Sequence, residues 1–202
     1  RGCETLVDQP SAWTSFDHTA YTLLIASRYA PQGLDILTDA VSSSIFDPVE
    51  LEREKLVVLE EIKRSRDIPQ LKLSKNLFSL AYEGHPYGSP VIGSEESVSA
   101  LTSDDLARFL ARWYRPSNMV LVAVGNLTDE RFFKLAKRTI GALPKKPKPR
   151  QATLPKSLKQ EALTFSAEKH SVGEIHFDLA FQAPGATHKD VAALDLLTTI
   201  LG

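Results

Sequence analysis

The chain has 202 residues, of which 43% are hydrophobic and 24% charged, and its 24 basic and 25 acidic residues give a net charge of −1. This is an ordinary globular composition for one or two domains, and its near-neutral charge argues against a protein that binds nucleic acid electrostatically. No window approaches 18 apolar residues, so no membrane span is predicted. The lone Cys3 excludes an intrachain disulfide and a cysteine zinc cage. A soluble chain is expected. The chain begins with Arg-Gly-Cys and not with Met, so a leader peptide could have been removed from it. The sequence therefore does not distinguish the cytoplasm from the periplasm.

The first third of the chain predicts one strand and two helices. Residues 19–26 are rich in β-branched and aromatic side chains, which is typical of a strand. Apolar residues recur at helical spacing over 33–44 and predict an amphipathic helix. A longer helix is predicted from Pro48 to about Arg66, because Asp47 suits the N-cap and Pro48 the first helical position.

The middle of the chain predicts more helices, an irregular loop and a strand. Three glycines and two prolines within 83–93 are incompatible with regular structure. The predicted elements are a helix over 70–82, a loop over 83–93, a helix from Thr102 to about Trp113, a buried strand over 119–125 and a helix over 128–140.

A change of composition at Pro144 predicts two folding units. Residues 144–150 read PKKPKPR, and segments rich in proline and charge stay extended and solvated. The sequence therefore divides into a unit over 1–143, a linker over 144–156 and a shorter unit over 157–202. In the last unit the patterns predict strands over 161–168 and 173–183 and a helix that begins near His188.

Two glutamates of the long helix form the most distinctive local pattern. Glu54 and Glu61 lie two turns apart, with Val57 and Val58 between them on the face expected to point inward. Burying an unpaired carboxylate is unfavourable, and a metal ion or a buried cation would remove that conflict. The alternative is a solvated face on which the glutamates pair with the lysines and arginines of the same helix. The spacing alone favours the solvated face and leaves the metal or buried cation as the other interpretation.

The histidines show no metal-binding pattern, and no nucleophile or phosphate-binding motif is present. No two histidines have the i, i+4 spacing that directs two imidazoles to one ion. Each is expected to be a surface or hydrogen-bonded structural residue. The five are His18, His85, His170, His176 and His188.

Two motifs in a fixed order indicate a family. The first is E-x-E-x-x-V-V-x-E-E-I at 52–62, and the second is H-P-Y-G-x-P-V-I-G at 85–93. With the segments 4–21, 33–41 and 181–202, they make nearly the whole chain resemble the pitrilysin–insulinase–mitochondrial processing peptidase family of zinc metallopeptidases. The resemblance implies an α+β fold, in which an antiparallel-rich sheet is packed by helices and is followed by the start of a second similar repeat.

The resemblance also implies a zinc site and a role for each glutamate. Family members carry an inverted motif, H-x-x-E-H, whose histidines bind zinc and whose glutamate is the general base. A glutamate of a later helix completes the site, and it matches Glu61. Its companion matches Glu54, which would orient a ligand histidine or position the attacking water. Substrate would add as a strand beside Ser11, Ala12, Trp13 and Thr14, where backbone pairing tolerates side-chain changes.

The chain departs from the family pattern in two places. It contains no H-x-x-E-H, and the family spacing places that motif before Arg1, so we expect a fragment that is inactive by itself because Glu61 is one zinc ligand of three. Its first unit would be most of the zinc-site repeat. In addition, Val7, Asp8 and Ser11 stand where the family commonly has a Gly-Gly pair and an asparagine, which favours altered specificity or a non-catalytic paralogue.

The function implied for the parent protein is that of a zinc metalloendopeptidase that cleaves peptides or unfolded segments in a closed chamber. A second insulinase-family repeat or subunit would close the chamber. The alternative is a non-catalytic partner subunit that shapes the chamber and binds substrate. An intact H-x-x-E-H upstream would favour the enzyme, and a degraded one the partner.

Overall fold

The computed structural model describes residues 7–150, 153, 162–169 and 173–201. The fold class is α+β, as predicted: the described residues are mostly helical, and their strands form one antiparallel pair. The elements are β1 (Val7–Thr14), β2 (Thr19–Ile25), α1 (Ala30–Ser42), α2 (Pro48–Asp67), α3 (Pro69–Ala81), α4 (Glu95–Ala100), α5 (Ser103–Trp113), α6 (Asp129–Arg138) and α7 (Val191–Leu201).

The β1–β2 hairpin packs on α1 through one face of β2. Gly33 of α1 allows this close approach, because a Cβ at this position would lie 2.9 Å from Leu23 Cδ2 and 3.2 Å from Ile25 Cδ1. Gly33 lies within the helix, three residues after the first helical residue, Ala30. Pro31 lies in the first turn, where no N–H is needed. The helix predicted over 33–44 consequently begins earlier, at Ala30, and ends at Ser42.

Helix α2 has the boundaries that its caps predict. The Asp47 carboxylate accepts hydrogen bonds from the backbone N–H groups of Val49 (2.8 Å) and Glu50 (3.1 Å), which confirms it as the N-cap. The helix packs on α3 and α4, and the most deeply buried side chain of the described residues, Ile62, lies in it. Lys55, two turns before Ile62 on the same face, is also buried, and its Nζ donates to the backbone carbonyl of Ser99 at the end of α4.

The predicted buried strand over 119–125 is wrong. The segment has no regular secondary structure, and Val120, Val122 and Val124 are 90%, 74% and 97% exposed. A strand requires a neighbour for its backbone N–H and C=O groups, and none of the described residues pairs with this segment. The alternation of exposed valines is nevertheless that of a strand face.

The strands predicted over 161–168 and 173–183 are also wrong for the residues that the structure describes, 162–169 and 173–183. These have no strand, and their alternating apolar side chains, including Phe165 and Phe177, are exposed. His170 and residue 161 lie outside the described residues. The helix expected near His188 begins at Val191, after a turn in which the His188 N–H donates to the Gly185 carbonyl.

The helices of the middle segment are confirmed, and α4 is an addition that the sequence did not predict. Thr102 caps α5 in a capping box with Asp105, as Ser94 caps α4 with Ser97. The six residues of α4 are too few to show a helical period, so only their cap could have revealed them. No helix within the described ranges is long and apolar enough to span a membrane.

The described first half of the predicted linker is extended but attached to the preceding unit. The Lys146 carbonyl accepts a hydrogen bond from Ser117 Oγ (2.8 Å), and the Pro147 carbonyl accepts one from Arg115 Nη1 (3.0 Å). Pro149 is buried, whereas the lysines of the segment are exposed. The prediction of a fully solvated segment therefore does not hold for residues 144–150.

Candidate metal and substrate site

Ion pairs along α2 distinguish Glu54 and Glu61 from the other glutamates of this helix. Each of the other glutamates accepts a hydrogen bond from the lysine or arginine side chain three residues later. The pairs are Glu50–Arg53 (2.7 Å), Glu52–Lys55 (2.7 Å) and Glu60–Lys63 (2.8 Å). The Lys63 hydrogen bond lowers the pKa of the Glu60 carboxyl. Glu54 has Val57 and Val58 at the positions where a base would stand. Glu61 has Arg64 one turn away, yet neither glutamate pairs with a side chain in the described part of the chain.

Both glutamates are exposed, which corrects the expectation that they point inward. The buried positions of α2 are Lys55 and Ile62, each one residue later, which is a rotation of about 100° around the helix axis. The helix turns this other face toward α3 and α4. The face with Glu54 and Glu61 also carries Val57, which is 62% exposed. An exposed stripe of apolar and carboxylate side chains therefore runs along α2.

The described residues do not form a complete zinc site. No group of three His, Cys, Asp or Glu side chains in them could hold a metal ion. The described histidines are engaged elsewhere, as expected for structural residues: their ring nitrogens contact Ser15 (His18), the Tyr87 N–H (His85), Gln70 (His176) and the Asp190 N–H (His188). Glu61 can supply one carboxylate ligand. Glu54 lies about 10 Å farther along the helix axis, too far for both to bind one ion readily.

One edge of β1 has no partner strand among the described residues. The Ser15 N–H donates to the His18 carbonyl (2.8 Å), which makes them a hydrogen-bonded pair at the turn. Because such pairs alternate with non-hydrogen-bonded ones, Trp13 and Ser11 direct their backbone groups toward β2, opposite Ala20 and Thr22.

The backbone groups of Ala12 and Thr14 therefore point to the open edge. Pro10, which has no N–H to donate, shares this outward register, as expected for an edge strand. Of the four residues predicted to bind substrate, two thus have backbone groups that point away from β2 and pair with no described strand. Ser11 and Trp13 are exposed and lie on the face opposite to α1, where the Trp13 ring meets the His18 ring edge-on at 4.8 Å.

The structure places the two predicted groups in different packing units. The predicted substrate strand belongs to the hairpin that packs on α1, whereas the glutamates belong to α2, which packs on α3 and α4. The tip of the hairpin contacts the loop after α3, through a hydrogen bond from Tyr87 to Asp17 (2.6 Å). The sequence did not predict a role for Asp17 or Tyr87, although the H-P-Y-G motif marked this loop as unusual.

Two family sequence models match the chain. The one described as Insulinase (Peptidase family M16) matches residues 3–95, and the one described as Peptidase M16 inactive domain matches residues 100–202.

Similar proteins agree with both models. The chain is 31% identical over 194 residues to the uncharacterized zinc protease YmxG of Bacillus subtilis. This alignment covers 96% of the chain and 46% of YmxG. The chain is 25% identical over 192 residues to cytochrome b-c1 complex subunit 1 of Bos taurus mitochondria, covering 95% and 40%. A solved protease from Helicobacter pylori matches with a TM-score of 0.67 at 27% identity, covering 73% of this chain and 37% of that one. The chain thus spans less than half the length of these relatives, and it belongs to the insulinase family, peptidase family M16.

Proposed function

We propose that the parent protein is a zinc metalloendopeptidase and that this chain supplies one metal ligand and the substrate strand. The observation that carries the proposal is the pair of carboxylates, Glu54 and Glu61, which have no ion-pair partner among the described residues and lie on an exposed face of a helix whose other glutamates are paired. Relatives of this chain are named zinc proteases. The chain alone is expected to be inactive, since it holds no complete set of ligands in its described residues.

Each glutamate has a separate role in this proposal. Glu61 is the carboxylate ligand, because carboxylate oxygens are regular partners of zinc in sites that also use histidine. Glu54 is too far along the axis to share the ion, and it would hold a ligand or a water in place by hydrogen bonding. The exposed Val57 between them supports contact with a further element that covers this face.

The open edge of β1 supports a peptide or unfolded segment as substrate. A peptide in extended conformation can pair with the outward N–H and C=O groups of Ala12 and Thr14. Such pairing uses the peptide backbone and therefore tolerates different side chains. A second repeat or subunit that closes over the edge would exclude folded proteins.

The test uses the whole protein with single substitutions in α2. Glu61→Gln should lose bound zinc and peptide cleavage together. Glu54→Gln should keep zinc when the metal is saturating and cleave about 10- to 100-fold more slowly, the usual loss for a residue that supports a ligand. Glu60→Gln is the matched control, because it removes one carboxylate of the same helix that is paired with Lys63. Metal content by atomic spectroscopy is measured beside cleavage rates.

Three results of this test would contradict the roles proposed for Glu54 and Glu61. Loss of zinc in Glu54→Gln with zinc retained in Glu61→Gln would reverse the two roles. Zinc content and cleavage equal to wild type in both variants would leave a solvated, non-functional face. A decrease in the Glu60→Gln control equal to that in Glu61→Gln would indicate a general effect of charge on α2.

The second candidate is a non-catalytic partner subunit of a heteromeric peptidase. The sequence at Val7, Asp8 and Ser11, where the family commonly has Gly-Gly and asparagine, favours it. A relative of this chain is named as a subunit of the mitochondrial cytochrome b-c1 complex. This candidate predicts that the purified whole protein binds peptide without cleaving it, holds no stoichiometric zinc, and stimulates cleavage by a separate active subunit.

A further inference from the structure

The tip of the β1–β2 hairpin is attached to the loop after α3 by one hydrogen bond and one aromatic stack. The turn consists of Phe16 and Asp17. The Tyr87 hydroxyl donates to Asp17 Oδ1 at 2.6 Å, and the Phe16 ring lies between Phe78 of α3 (5.1 Å between centroids) and Tyr87 (4.9 Å). Both turn residues are thus held by the same loop.

The H-P-Y-G motif gives Tyr87 a fixed position. Residues Pro86–Gly88 form a 3-10 turn, and His85 Nδ1 accepts the Tyr87 N–H at 3.1 Å. The rings of Tyr82 and His85 contact the Tyr87 ring edge-on, at 5.3 and 4.7 Å. A Cβ on Gly88 would lie 2.6 Å from the Tyr82 carbonyl oxygen, so a glycine is required for this close approach. The charge-assisted bond to Asp17 also raises the pKa of the Tyr87 phenol.

This attachment lies at one end of the proposed substrate edge. Thr14, whose backbone groups point outward, is three residues before Asp17, whereas the hairpin rests on α1 at the end away from the turn, through Leu23 and Ile25. A two-stranded hairpin is only marginally stable alone. Its end would change direction if the turn were released, and the outward groups of Ala12 and Thr14 would move with it.

We propose that Tyr87 is a positioning residue that, through Asp17, fixes the open edge of β1 in the geometry that pairs with a peptide. The proposal rests on the proposed substrate strand and goes beyond it, because Tyr87 contacts neither the peptide nor the metal ligands. Its hydroxyl acts only through the hairpin turn. The role belongs to the H-P-Y-G motif, which therefore supports the binding edge from outside it.

The decisive variant is Tyr87→Phe in the whole protein, which removes the hydroxyl and keeps the ring. The matched control is Tyr82→Phe, which removes a hydroxyl from the same aromatic group where no hydrogen bond to another described residue exists. We expect Tyr87→Phe to raise KM for a peptide about fivefold, the factor that one hydrogen bond is worth, with kcat within about twofold of wild type. Asp17→Ala should give the same rise, and the double variant should be no worse than either single one.

A second measurement does not depend on catalysis. Hydrogen exchange of the Ser15 amide, which bonds to the His18 carbonyl, and of the Trp13 amide, which faces β2, should become faster in Tyr87→Phe and in Asp17→Ala but not in Tyr82→Phe. If the wild-type protein cleaves no peptide, the proposed function fails; the dissociation constant of an uncleaved fluorescent peptide then replaces KM and tests the positioning role separately.

Three results would overturn the role of Tyr87. The first is an unchanged KM or peptide dissociation constant in Tyr87→Phe. The second is an equal rise in the Tyr82→Phe control, and the third is additive effects of Tyr87→Phe and Asp17→Ala. A lower thermal midpoint without a change in KM would show that Tyr87 stabilises the fold only.

Discussion

The hydroxyls of Tyr21 and Tyr114 lie 2.7 Å apart and join the second strand of the hairpin to the C-terminal end of α5. Their rings meet edge-on, with centroids 6.1 Å apart. The two residues are 93 positions apart in the sequence, so this contact holds together parts of the fold that no local interaction connects. Burial, and then the hydrogen bond with Tyr21, raise the pKa of the Tyr114 phenol.

Tyr114→Phe is expected to lower the free energy of unfolding by about 1 kcal/mol at neutral pH, the net value of one hydrogen bond. Tyr21→Phe should have the same effect, and the double variant no more. Tyr29→Phe is the control, because no described residue bonds to its hydroxyl, and it should change stability by less than about 0.5 kcal/mol. Denaturant unfolding of the three variants measures this, and an effect of Tyr29→Phe as large as that of Tyr114→Phe would contradict it.

The raised pKa of Tyr114 predicts how its contribution depends on pH. A group whose pKa is higher in the folded state stabilises the fold fully below its unfolded pKa, which is about 10 for tyrosine. The contribution decreases as pH rises from there through the higher folded value. Wild type should therefore lose more stability than Tyr114→Phe on going from about pH 9 to about pH 11. Parallel losses in the two proteins would show that Tyr114 does not titrate differently on folding.

Gly88→Ala is expected to destabilise the protein by about 1 to 3 kcal/mol, because its Cβ would lie 2.6 Å from a backbone oxygen that cannot move aside easily. The control is Gly185→Ala, since nothing lies within 4 Å of a Cβ at that position. Thermal unfolding compares the two. The prediction is wrong if Gly185→Ala is the more damaging change.

The helices could be predicted from the sequence because their signals are local. Asp47, Thr102 and Pro48 mark helix starts by caps and backbone geometry that act within one turn. Whether residues 119–125 and 173–183 form strands could not be predicted from the sequence. An alternating apolar pattern shows that a segment suits a sheet, but it does not show whether a neighbouring strand pairs with it.

The candidate site was predictable in composition but not in orientation. Spacing and family resemblance selected Glu54 and Glu61, yet the buried face of α2 is that of Lys55 and Ile62. The sequence analysis predicted that Val57 and Val58 face inward. In the structure the long aliphatic stem of Lys55 covers the apolar surface, while its ammonium group pairs with Glu52. The bond from Tyr87 to Asp17 joins residues 70 positions apart, and no local pattern contains such a contact.

The linker region is expected to be the first site of limited proteolysis by trypsin. Residues 144–156 offer three bonds not followed by proline, after Lys145, Arg150 and Lys156. Cleavage should occur first after Arg150 or Lys156, since extended proline- and lysine-rich segments are good protease sites. Residues 119–125 contain no lysine or arginine, so α6 is the relevant competitor. First cuts within α6 would count against a boundary here.

Cleavage after Lys145 should be slower, because the next two carbonyls are held by Ser117 and Arg115. Ser117→Ala removes one of these bonds and should speed that cut alone. An equal acceleration of the cut after Arg150 would mean that the substitution loosens the whole region. Mass spectrometry of early digests distinguishes the fragments.

The last prediction concerns zinc and the 202-residue chain studied by itself. Zinc sites in proteins use three or four protein ligands, and Glu61 offers one carboxylate on an exposed face. Calorimetric titration should therefore show no saturable submicromolar binding, and Glu61→Gln should titrate like the Glu60→Gln control. In the whole protein the same substitution should abolish bound zinc. The contrast matters more than either result, because it measures what residues outside this chain contribute to the site. Submicromolar, stoichiometric binding by the chain alone, lost in Glu61→Gln and kept in Glu60→Gln, would show that its own residues complete the metal site.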